Sequence, residues 1–211
     1  MRKHIAILVL FASITGAVRG DYLWDNGLTP NGFSGRAISP PSFGIRVADD
    51  FALQTEFHIS NFRANVIEDD VWNDGGEITI EFYADAGDRP GAVVAAHTGE
   101  FDKRDTGDEY FGRRDYEYTI EGMDIFLDAG AYWVGIRNAQ GGGAGTNYWM
   151  TSDGGPDGKD SSTGYISLDG GNSWGEEGAG WHHAFAIELI PEPSTWLLLA
   201  LGGLGIFRRR R

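Results

Sequence analysis

From residue 46 to residue 189, apolar side chains recur at every second position in short runs, and glycine, asparagine, aspartate or proline ends each run. A period of two puts neighbouring side chains on opposite faces of a strand, whereas a helix needs a period near 3.6. Such runs are Arg46–Leu53, Phe57–Ala64, Glu77–Ala84, Asp115–Ile120, Ala131–Ile136, Asn147–Met150, Gly164–Leu168 and Trp181–Ile190, with a short apolar run at Ala92–Ala96. In Glu77–Ala84 the alternation sends Ile78, Ile80 and Phe82 inward and leaves Glu77, Thr79 and Glu81 in water. Phe57–Ala64 alternates on a period of two, and Trp133 and Trp149 read as core.

The breaks between runs are turn chemistry. Asp25-Asn26-Gly27, Asn73–Gly76, Asp85-Ala86-Gly87, Asp153–Pro156 and Asp169-Gly170-Gly171 supply the positive φ that tight turns require. Glycine accordingly reaches 32 of 211 residues. Short strands at even spacing predict an all-β fold, a single antiparallel β-sandwich of jelly-roll type over residues 21–190. No fixed repeat points to a propeller. Gly141–Gly145 reads as a loop within one core.

There is no cysteine, which removes disulfides and thiolate metal sites. The formal charge is −14. The ends carry Arg2, Lys3, Arg19 and Arg208–Arg211 but only one acid, Glu192, so residues 21–190 hold about −20. That surface excludes a nucleic-acid partner, since a phosphate backbone needs a basic face.

The two ends depart from the strand pattern. Residues 1–20 have Arg2 and Lys3, then an apolar Ile5–Ile14, then Gly16, Ala17 and Gly20, the make-up of a secretory signal peptide. At the other end Pro191-Glu192-Pro193 stops the last strand, because proline cannot donate to a ladder. Trp196–Phe207 is uncharged and rises about 18 Å as a helix, short of the roughly 30 Å hydrocarbon core. With Trp196 at one interface and Arg208, Arg209, Arg210 and Arg211 at the other, it is a marginal anchor that leaves 21–190 outside.

Pro-Glu-Pro, a short apolar helix and a terminal arginine cluster resemble the PEP-CTERM sorting signal, here residues 191–211. The resemblance implies export, handling by an exosortase and the secretion machinery, transient residence in the inner membrane, and release to the cell surface or beyond. The body also resembles a recurring type of exported PEP-CTERM protein. The residues are Trp24-Asp25-Asn26-Gly27, Ala48–Phe51, the hairpin Phe82, Tyr83, Asp85, Gly87, Pro90, Gly91, and Tyr132-Trp133. That resemblance implies a β-sandwich and carries no catalytic residue.

Ser167, Asp169, Gly171, Ser173 and Trp174 resemble the Asp-box, in which the aspartate ties down a hairpin and the tryptophan packs beneath it. One copy makes a structural hairpin. Gly171–Gly175 also fits a Gly-x-Ser-x-Gly elbow, but the Gly-rich Gly175–Gly180 cannot start the helix that an elbow needs. Adjacent His182 and His183 face opposite ways on a strand and cannot both ligate one ion. Oxygen ligands for Ca²⁺ are available at Asp69, Asp70 and Asp74, and at Asp153, Asp157 and Asp160, otherwise solvated loops without EF-hand spacing. No other cofactor is expected. Trp72, among acidic and glycine residues, is the candidate for stacking on a sugar.

The expectation is an exported, non-catalytic surface or matrix protein. A carbohydrate-binding module for extracellular polysaccharide comes second. A secreted glycan hydrolase comes third, because so many carboxylates single out no pair.

Overall fold

The computed structural model describes residues 22–28, 30–38, 44–69, 76–139, 146–153, 164–178 and 181–189. These form two antiparallel sheets with no helix among the described residues. The signal segment and residues 191–211, with the expected C-terminal helix, lie outside them.

The first sheet holds β1 (Tyr22–Asp25), β2 (Pro30–Ala37), β4 (Phe57–Glu68), β7 (Asp102–Tyr110), β8 (Arg113–Ile120), β9 (Ile125–Leu127), β11 (Asn147–Ser152), β14 (His182–His183) and β15 (Phe185–Leu189). The second holds β3 (Arg46–Leu53), β5 (Ile78–Asp85), β6 (Pro90–Gly99), β10 (Gly130–Asn138), β12 (Tyr165–Ser167) and β13 (Gly175–Glu176), in the order β13-β12-β3-β10-β5-β6.

β4 is the spine of the first sheet. One edge of β4 pairs with β15 and then β11; the other pairs with β9 and then β8. Its alternation is not unbroken. Ile59 faces the core, and so do Phe62, Ala64 and Val66, a phase slip of one residue. The slip is a bulge: Asn61 opposes Glu188 and Ile59 opposes Leu189, leaving Ser60 extra. Without it, the apolar set beyond Asn61 would turn to the outer face.

The core lies between the sheets. Phe62, Trp149 and Phe185 meet there, with the two phenyl rings stacked at 5.9 Å. Phe51 packs edge-on against Phe82 at 5.9 Å. Ile78, Ile80 and Phe82 of β5 point into this core as their alternation predicts. The opposite side of β5 is not wet, however. Thr79 is buried, and Glu81 is covered by Arg46 and Arg137 at 3.3 and 3.0 Å. There a second apolar cluster of Ala48, Tyr83 and Trp133 is closed by Tyr165 and Trp174. Trp133 is therefore core, but on the outer side of its sheet.

Candidate functional site

Val47, Phe51 and Leu53 of β3 face the main core, and the same parity puts Asp49 there too, at 0 % exposure. A carboxylate in an apolar layer must be hydrogen-bonded. Asp49 Oδ2 accepts from Asn26 Nδ2 at 2.9 Å and from the His183 backbone N–H at 2.5 Å, and Oδ1 accepts from the Asp50 amide at 3.0 Å. Burial pushes its pKa up to about 6 despite the two histidines and the amide bond that favour the anion. Asn26 Nδ2 also reaches the His183 carbonyl at 3.3 Å. Asp49 of the second sheet thus clamps β1 and β14 of the first. The Asn-Gly turn and the Ala48–Phe51 segment, separate in sequence, meet at this point.

His182 and His183 diverge, as adjacent strand residues must. The His183 ring stacks on Trp149 at 4.3 Å, and its Nε2 lies 3.0 Å from Glu177 Oε2. Glu177 Oε1 accepts from Arg36 Nε at 2.5 Å, and the Arg36 guanidinium sits 4.7 Å above the Trp181 ring. Burial works against the Glu177 anion, but His183 and Arg36 outweigh it and hold the carboxyl below its ordinary pKa. The side chains of His183 and Glu177 are fully buried. Glycine at 164 gives this pair room: a Cβ there would stand 3.0 Å from His183 Nε2 and 3.1 Å from Glu177 Oε2, so the pair would have to shift by a few tenths of an ångström.

His182 turns the other way. A ring nitrogen of His182 and one carboxylate oxygen each of Asp49 and Asp50 all lie within 4.8 Å of one another.

A second feature lies on the outer face of the first sheet. Ser34, Gly35, Ile67, Phe111, Arg113 and Tyr148 line a groove of about 320 Å³. Arg113 sits 4.9 Å above the Tyr148 ring and donates to Asp69 Oδ1 at 2.5 Å. Phe111 stands at the tip of the β7–β8 hairpin, 57 % exposed and with φ of 57°. A bulky non-glycine residue in the left-handed region is strained by roughly 1 kcal/mol or more. The Phe111 ring is thus exposed beside the groove and takes no part in the core.

The Asp-box residues form a closed set of bonds. Asp169 Oδ1 accepts from the Ser173 amide at 2.9 Å and from Ser167 Oγ at 2.8 Å; Oδ2 accepts from Ser173 Oγ at 2.6 Å. These bonds, those from Ser173 foremost, hold the Asp169 pKa down to about 2. Gly171 donates its amide to Ser167 Oγ at 2.8 Å, and Trp174 packs edge-on against Tyr83. Ser173 is thus a turn residue, and Gly175, two residues on, opens a strand rather than a helix.

The acidic loop residues are placed in part. Asp69 is engaged by Arg113 and by the Thr146 amide at 3.0 Å, and Asp153 is exposed at the end of β11. Asp70, Asp74, Asp157, Asp160 and Trp72 lie outside the described residues. Of the clamp residues, His183 was considered only as a metal ligand and Asn26 only as a turn residue, and Asp49 and Glu177 were not singled out by chemistry from sequence. One signal was present: Asp49 occupies an inward position of an otherwise apolar alternation.

Residues 189–211 match the PEP-CTERM protein-sorting motif. No curated protein matches the chain. The motif marks an exosortase-targeted protein that is exported to the cell surface or outside the cell.

Proposed function

We propose that the exported chain is a non-catalytic protein of the cell surface or extracellular matrix, and that it holds extracellular polysaccharide in the groove beside Phe111. Its histidine–carboxylate pair supports the non-catalytic part. His183 and Glu177 have the residue types of acid–base catalysis, but both side chains are sealed from solvent and spent on each other and on Arg36. Among the described residues neither side chain presents any surface to a substrate.

The exposed Phe111 ring carries the polysaccharide reading. An apolar ring face fits the C–H face of a sugar, and Arg113 and Ser34 beside it offer hydrogen-bond donors to hydroxyls. The acidic surface favours neutral or basic glycans over acidic ones. Affinity electrophoresis through gels containing neutral or acidic polysaccharides tests this. Retardation by a neutral glycan is expected, falling at least tenfold in affinity for Phe111→Ala. Equal mobility of the two proteins in every gel leaves a purely structural surface role.

A further inference from the structure

We infer that Asp49, Asp50 and His182 form a binding site for one divalent transition-metal ion of the zinc or manganese type. Two carboxylates on successive residues repel each other, and Asp50 is among the groups that disfavour the Asp49 anion. Among the described residues no lysine or arginine pairs with Asp49, unlike Glu68, Asp69, Glu81, Glu117 and Glu177, each of which has a basic partner. Asp49 thus has histidines and amides around it but no full positive charge from lysine or arginine, and a dication would supply one.

Two further observations point at a ligand. His182 is only 6 % exposed, and a ring nitrogen of it lies beside both carboxylates. Asn26 is 1 % exposed; its amide nitrogen bonds Asp49, and the oxygen of the same amide has no partner. Buried polar groups in native proteins are rarely left this way.

The geometry is close to a coordination sphere. Ligands about 2.1 Å from one ion lie up to about 4.2 Å apart, so the observed 4.8 Å limit closes with small side-chain rotations. The donor set is one imidazole nitrogen with carboxylate oxygens. Calcium prefers oxygen alone, whereas zinc and manganese accept this mixture. The backbone leaves room: the ladder between β3 and β12 ends at Ala48, one residue before the site. A bound ion would join β3 of one sheet to β14 of the other, beside the Asp49 clamp.

The test uses the full chain without an affinity tag, stripped with chelator, then titrated with Zn²⁺, Mn²⁺ or Ca²⁺ by calorimetry and thermal melting. One equivalent of Zn²⁺ or Mn²⁺ should bind and raise Tm by several degrees. Asp50→Asn and His182→Gln should each weaken that binding at least tenfold, and Asp69→Asn should leave it unchanged. Asp50 is half-buried on the solvent side, so Asp50→Asn reports even where His182→Gln folds poorly. No binding of either ion, a preference for Ca²⁺, or affinity that survives Asp50→Asn overturns the assignment.

Discussion

Asp115 shows how a single side chain on the outer face sets a pH dependence. It is 1 % exposed; Oδ2 accepts from Asn65 Nδ2 at 3.0 Å and Thr106 Oγ1 at 2.7 Å, while Oδ1 has no partner. Burial raises its pKa to about 6, outweighing those two bonds. The folded chain therefore keeps a proton that the unfolded chain releases near 3.8. Its contribution is most favourable below that value and is lost as pH rises through 6. Asn is isosteric with the protonated acid, so Asp115→Asn should gain about 1–2 kcal/mol over the native chain at pH 7.5, a figure reduced for solvent screening. The gain should vanish near pH 4. Urea melts at both pH values measure it, and an equal effect at the two would show that Asp115 does not titrate between them. The same residue-by-residue logic explains why Asp49 was legible only in part. Its inward parity is in the sequence, but the Asn26 and His183 groups that hold it come from distant segments.

At the scale of elements, β7 and the β7–β8 hairpin are the instructive cases. β7 reads Asp-Lys-Arg-Asp-Thr-Gly-Asp-Glu-Tyr, with no apolar alternation, and no strand was expected there. It is held by side-chain pairs instead: Lys103 with Glu68 at 3.0 Å, Arg104 with Glu117 at 2.9 Å, and Thr106 with Asp115. Cross-strand pairs of this kind contribute roughly 0.2–1 kcal/mol each, and only the partner strand reveals them. β1 and β2 went unread for a related reason, since their pairing partners β15 and β11 lie more than a hundred residues away. The hairpin tip makes its own prediction. Asn tolerates the left-handed region far better than Phe, so Phe111→Asn should stabilise the chain by about 0.5–1 kcal/mol. The same change removes the aromatic face over the groove. A variant that melts higher yet loses polysaccharide retention would show strain kept for binding; one that melts lower would place the Phe111 ring among stabilising contacts.

For the whole molecule, the sorting motif makes its own prediction. In cells lacking exosortase the chain should stay membrane-associated with Arg208–Arg211 attached; in cells containing it, mass spectrometry of the surface fraction should find the arginines gone. Identical C-termini in both strains would remove exosortase processing from the account. Export to the surface or beyond was legible, because a sorting signal is read as a linear segment by another protein and needs no fold around it. The all-β class was legible too, because a period of two is a local property of the chain. Tertiary structure alone decided the one-residue slip in β4, the covered outer side of β5 and the strand character of β7. It also decided the meeting of Asn26, Asp49, Asp50, His182 and His183. Each of these depends on which distant strand lies alongside, and that choice is made by the burial of all the apolar faces together rather than by any segment's own pattern.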